Sequence, residues 1–110
     1  MKGTNLGEFE ELVLLTIAVL VNDAYSVAVC DELEKNTGRA PKLGVVHAVL
    51  NRLEEKGLVK SKLGEATSTR GGKRKRYYSV TNAGQAAITR SKELRDNLWN
   101  MIPNMSLKNI

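Results

Sequence analysis

The sequence predicts a mainly α chain with a small β-hairpin, an α+β fold, and three observations point to it. Apolar residues recur at helical spacing in four segments, and two short β-rich segments separate the third of these from the fourth. Between the two β-rich segments lies a stretch dense in Gly, Lys and Arg. At 110 residues and 42% hydrophobic, the chain fits one globular domain with a modest core. No internal repeat, low-complexity segment or linker divides it.

The first helix follows Gly7, where Glu8-Phe9-Glu10-Glu11-Leu12 leads into Val13 to Val21. Carboxylates suit the helix N-terminus, and the body is apolar almost all round, so burial on several sides is expected. Asn22-Asp23 ends it. The run from Leu12 to Val21, broken only by Thr16, is too short to cross a bilayer. Met1 to Asn5 carries no secretory signal pattern, so a cytoplasmic protein with no membrane partner is expected.

The second helix starts near Ser26, with Val29, Cys30 and Leu33 on one face and Gly38 as its stop. After Pro41, a third helix runs from about Leu43 to Lys56. Leu43, Val46, Leu50 and Leu53 form its apolar stripe, Val49 broadens it, and Gly57 fits the left-handed position after the helix. Lys42, Val45, His47, Ala48, Asn51 and Arg52 fall off that stripe, on a face free to touch a partner.

Leu58 to Leu63 and Arg76 to Thr81 read as the strands of a long-looped hairpin. Thr81 then caps a last helix from Asn82, along which Ala87, Ser91, Leu94, Leu98 and Met101 alternate in steps of four and three. Pro103 ends it. Ala83, Ala86 and Ala87 suit packing within the chain, whereas Leu94, Leu98, Trp99, Met101 and Ile102 lie beyond the reach of so small a core, and a homodimer interface is expected there.

Helix, helix, helix, hairpin, helix is the order of a winged helix-turn-helix with a C-terminal dimerisation helix. Residues 1–81 form the DNA-binding region, 82–102 the dimerisation helix and 103–110 a tail. A major groove about 12 Å wide accepts one α-helix, and a basic hairpin beside it can follow the backbone. Charge is distributed to match. Residues 1–41 carry three Lys/Arg against seven Asp/Glu, net −4, and residues 42–110 carry fourteen against five, net +9. A localised positive face is what a polyanion selects. Arg70-Gly71-Gly72-Lys73-Arg74-Lys75-Arg76 holds five cations in seven residues and no acid. Such a run is by itself most often a solvated loop, but between two strands after three helices it reads as a wing that neutralises phosphates.

These segments resemble PadR-type transcriptional regulators. The resemblance spans Leu6 to about Trp99, through Leu6-Gly7-Glu8-Phe9-Glu10, Ala24-Tyr25-Ser26-Val27-Ala28-Val29, Leu50 to Val59 and Gly71 to Tyr78. It implies a winged-helix dimer joined through the C-terminal helix, which represses a nearby operon and often answers to a small molecule. It also implies a recognition helix at Lys42 to Lys56 and a wing at Gly64 to Arg76. Two positions depart from the pattern: His47 stands where the family typically has tyrosine, and Val49 where it often has a smaller or polar residue. Both are expected at or beside the recognition face, so relatives' DNA preferences do not carry over.

The expected function is therefore that of a sequence-specific double-stranded DNA-binding regulator, a repressor that binds a pseudo-palindromic operator as a homodimer and is released by a small-molecule effector. Lys42, Val45, His47, Ala48, Asn51 and Arg52 approach bases or flanking phosphates, and Arg70, Lys73, Arg74, Lys75 and Arg76 clamp the backbone. His47 reads as a neutral packing or hydrogen-bonding residue ahead of a protonated phosphate contact. Trp99 suits packing first and the wall of an effector cavity second. Cys30 reads as a small buried hydrophobe, since Asp31 and Glu32 disfavour a thiolate. With one cysteine and one histidine far apart, no catalytic set, metal or cofactor is expected. The competing class is a winged-helix module that binds a partner protein through the same surface, drawing on apolar Val45 and Ala48. RNA binding ranks third, for want of an aromatic stacking platform.

Overall fold

Three helices, α1 (Glu8–Leu20), α2 (Ser26–Thr37) and α3 (Leu43–Glu55), precede strands β1 (Val59–Leu63) and β2 (Arg76–Val80) and a long helix α4 (Asn82–Met101). A computed structural model describes residues 6–65 and 74–103 of this arrangement. The core forms where the apolar stripes of the first three helices meet. Val13, Leu14 and Ile17 from α1, Val29 and Leu33 from α2, and Val46, Val49, Leu50 and Leu53 from α3 are all buried. Each set recurs at three- and four-residue steps, so each stripe faces inward along one side of its helix. Leu58, Val59, Tyr78 and Ala87 close the core from the hairpin and α4.

Local chemistry sets the helix ends. Gly38 adopts φ 77° and donates its N–H to the Glu34 carbonyl, ending α2. Gly57, also at φ 77°, turns the chain from α3 into β1 while Leu58 N–H donates to the Leu53 carbonyl at 2.9 Å. Only a residue without a β-carbon adopts that backbone at no steric cost.

β1 and β2 pair antiparallel, with Val59 opposite Val80 and Leu63 opposite Arg76. Each strand is one residue shorter than the sequence predicts, because Leu58 and Thr81 form the joint below the hairpin, where Thr81 N–H donates to the Leu58 carbonyl at 3.0 Å. Tyr78 N–H donates to the Ala24 carbonyl at 2.9 Å, tying the hairpin to the start of α2. The Thr81 hydroxyl accepts from Gly84 N–H at 3.0 Å and donates to the Gly57 carbonyl at 2.7 Å. One side chain thereby caps α4 and binds it to the turn after α3.

α1 is buried on several sides and open on one, where Leu15 and Val19 are 38% and 62% exposed. Three expectations about burial are corrected. Leu43 is 42% exposed, since at the first helical position it lies beyond the layer that buries Val46. Val49 is 2% exposed and so belongs to the core, not to the recognition face. In α4 only Gly84 and Ala87 are buried, while Ala83 and Ala86 are exposed.

Candidate nucleic-acid interface

With Val46, Val49, Leu50 and Leu53 turned inward, α3 leaves Gly44, Ala48, Asn51 and Glu55 exposed on the opposite side. At 3.6 residues per turn these four form one strip. Gly44 and Ala48 are small, so the strip can approach a surface closely at its N-terminal half. Asn51 brings an amide with both donor and acceptor, the chemistry that pairs with an adenine edge.

The two flanks of the strip differ. On one side Val45, half exposed at 49%, borders a hollow with Phe9, Arg39, Ala40 and Pro41. On the other, His47, Asn51 and Glu54 line a cleft shared with Tyr25 and Ser26 at the start of α2 and with Arg74, Lys75 and Arg76 at the base of the wing. Lys42 is exposed at the N-cap of α3. The expected α3 residues therefore occupy one continuous surface, with two of them turned toward the wing.

The wing base is held to the helices by specific contacts. The Lys75 ammonium stands 4.1 Å over the Tyr25 ring, and the edge of Tyr77 meets that ring at 5.7 Å and 74°. A cation over an aromatic face contributes roughly 0.5–1 kcal/mol at an exposed site, enough to bias where Lys75 points. Arg74 Nε donates to the Gly64 carbonyl at 2.8 Å, joining the two segments that continue past the Leu63–Arg76 pair. Arg76 donates to the Ser61 hydroxyl at 3.1 Å, and Ser61 donates to Glu54 Oε2 at 2.8 Å, so a hydroxyl links the hairpin to α3. Arg70 and Lys73 lie outside the described residues.

Arg52 is engaged on the flank of α3 that faces α1. Its Nε lies 3.3 Å from Glu10 Oε2, and the Lys56 ammonium lies 2.9 Å from Oε1 of the same carboxylate. Burial pushes the Glu10 carboxyl upward, but the Gly7 N–H and the Lys56 and Arg52 cations outweigh it and hold the group below its ordinary value. Tyr25, Glu54, Ser61 and Glu10 are the site residues that sequence reading missed. Ser61 lies only seven residues past Glu54, but across the turn into the hairpin, and Glu10 and Lys56 are 46 residues apart, so no helical or strand spacing announces them.

Beyond Ser91, α4 runs exposed. Leu94, Leu98, Trp99 and Met101 are 61%, 57%, 48% and 74% accessible, and Ile102 is half-buried. Arg95 reaches back to Glu11 on α1 at 2.8 Å, beside the point where this apolar seam leaves the core. Cys30 is half-buried, and burial, with the Asp31 charge, pushes its thiol upward, away from thiolate chemistry. Among the described residues no helix is long and apolar enough to cross a membrane.

Residues 14–90 match the family described as transcriptional regulator PadR-like. Among solved structures, a PadR family transcription regulator from hypervirulent Clostridium difficile R20291 is similar at 24% identity and TM-score 0.67, covering 93% of this chain and 97% of that one. A PadR-like transcription factor from Bacteroides fragilis is similar at 21% identity and TM-score 0.70, covering 86% and 85%. A PadR-like transcriptional regulator from Bacillus cereus is similar at 20% identity and TM-score 0.65, covering 88% and 93%. No curated protein matches the chain.

Proposed function

Because the chain belongs to the PadR-like family of transcriptional regulators, we propose that it binds double-stranded DNA sequence-specifically as a homodimer and represses the genes beside its operator. The observation that carries this reading is the cleft in which His47 and Asn51 of α3 face Arg74, Lys75 and Arg76 of the wing. A helix with a small-residue strip next to convergent cations suits a major groove and its flanking backbone.

Lys42, Val45, His47, Ala48, Asn51 and Arg52 supply the helix contacts, and Arg70, Lys73, Arg74, Lys75 and Arg76 the backbone clamp. Residues 82–102 form the dimerisation helix, with Leu94, Leu98, Trp99, Met101 and Ile102 meeting their copies in a second chain. The exposure of Leu94, Leu98, Trp99 and Met101 at this spacing supports it. Two recognition helices so joined would stand about 34 Å apart, one DNA turn, and call for a pseudo-palindromic operator. Trp99 offers a flat aromatic wall to a small-molecule effector that releases the operator.

The test is selection from a random duplex library at about 0.15 M salt, with the assembly state followed by sedimentation. A two-fold symmetric motif with half-sites about one turn apart supports the reading. Binding without any enriched motif favours the partner-protein reading, which the apolar Val45 beside Ala48 on α3 would serve.

A further inference from the structure

The carboxylate of Glu10 sits behind the edge of the recognition helix and touches it twice. Its side chain is 10% exposed, against 25% for Lys56 and 54% for Arg52. Gly7 N–H donates to it at 2.9 Å, and Lys56 donates at 2.9 and 3.1 Å to its two oxygens. The Lys56 pair, shorter and better shielded, is therefore enough to neutralise the carboxylate. The Arg52 contact is longer, engages only Nε, and leaves over half of that side chain open to solvent.

What that contact adds is orientation. Nε is the inner corner of the guanidinium, and a planar fork held at that corner is restrained in the direction its two outer nitrogens face. An unrestrained arginine gives up rotamer freedom when it binds, and prior restraint lowers that cost. A phosphate beside the major groove is the ligand that a planar, pre-aimed guanidinium recognises by two parallel hydrogen bonds.

We propose that Glu10 is a positioning residue for DNA binding: by holding Arg52 Nε it aims the guanidinium at one backbone phosphate flanking the groove that α3 enters. This rests on reading α3 as the recognition helix. Glu10 contacts no DNA. It acts from α1 through Arg52, and so couples the aim of one phosphate contact to the packing of α1 on α3.

The experiment measures duplex affinity against salt, on the selected site, for the full chain and for Glu10→Gln, Arg52→Ala, Arg52→Lys and the double variant Glu10→Gln with Arg52→Ala. Gln keeps an oxygen for the Gly7 N–H. Each single variant is expected to lose about fivefold in affinity, and the double variant no more than Arg52→Ala alone. The salt slope should fall by about 0.9 in Arg52→Ala and in the double variant, and stay unchanged in Arg52→Lys. Independent losses that multiply to about 25-fold in the double variant, or full affinity in Glu10→Gln, overturn the proposal while leaving the recognition helix intact. If Glu10→Gln fails to fold, Arg52→Lys decides: wild-type affinity there means the aimed plane is irrelevant. Absence of duplex binding by the unmodified chain overturns both readings together.

Discussion

Gly84 on α4 lies directly against the carbonyl of Leu58 at the start of the hairpin. A β-carbon at residue 84 would collide with the Leu58 oxygen and stand 2.8 Å from Val80 Cγ1. The absence of a side chain at this point is what lets α4 leave the core where it does. Gly84→Ala is therefore expected to destabilise the fold by about 1–3 kcal/mol, the cost of overpacking against backbone that cannot yield. A lowered urea midpoint at unchanged slope would show it, and an unchanged midpoint would refute the close approach.

The same joint predicts a conservative rescue. Thr81→Ala removes the acceptor for Gly84 N–H and the donor to the Gly57 carbonyl, at about 1 kcal/mol for the missing cap. Thr81→Ser keeps both bonds and should retain most of the stability in the same unfolding measurement.

Glu10 predicts an acid limb. Its folded-state value is held below the ordinary 4.5, so the folded chain binds this proton less readily than the unfolded chain does. The associated stability is fully present above the ordinary value and drains away as pH falls through the lowered one. Chemical denaturation from neutral pH into that range should show the chain losing stability, and Glu10→Gln losing less across the same window. Parallel curves would remove Glu10 as the source.

The wing cations predict a change in salt dependence. Replacing Lys73 and Arg74 with Ala should weaken binding to every duplex and reduce the slope of log affinity against log salt by about 0.9 for each phosphate no longer neutralised. If the slope stays as it was, these side chains do not touch the backbone.

The exposed seam of α4 predicts the assembly state. Leu94→Glu together with Leu98→Glu should shift sedimentation from dimer to monomer while leaving the helical circular dichroism of the winged region in place. Buried carboxylates facing their copies would repel one another and go unpaired. A dimer that survives both changes would place the interface elsewhere.

How far the fold was legible follows from what kind of physics each element obeys. Val46, Leu50 and Leu53 declare α3 by their period, Gly38 and Gly57 mark ends that need a left-handed backbone, and Thr81 announces a cap, because these are properties of a few consecutive residues. Val49, in contrast, reads equally well as stripe or as recognition face. Its neighbours alone decide, and they bury it. Leu15 and Val19 are as apolar as Leu14, yet stand exposed, since a run of apolar residues does not say how many sides of a helix other elements will cover.

The candidate site divides along the same line. Residue order alone established that a helix with a polar face precedes a basic hairpin, that charge of one sign gathers in the last two thirds of the chain, and that an apolar seam continues past the core. Periodicity and composition are written in that order. It took the folded arrangement to place Lys75 on Tyr25, to link Arg76 to Glu54 through Ser61, and to let Glu10 hold Arg52 and Lys56 from 42 and 46 residues away. Such interactions act over a few ångströms between segments that chain order leaves unrelated, so they come into being only when packing of the core brings those segments together.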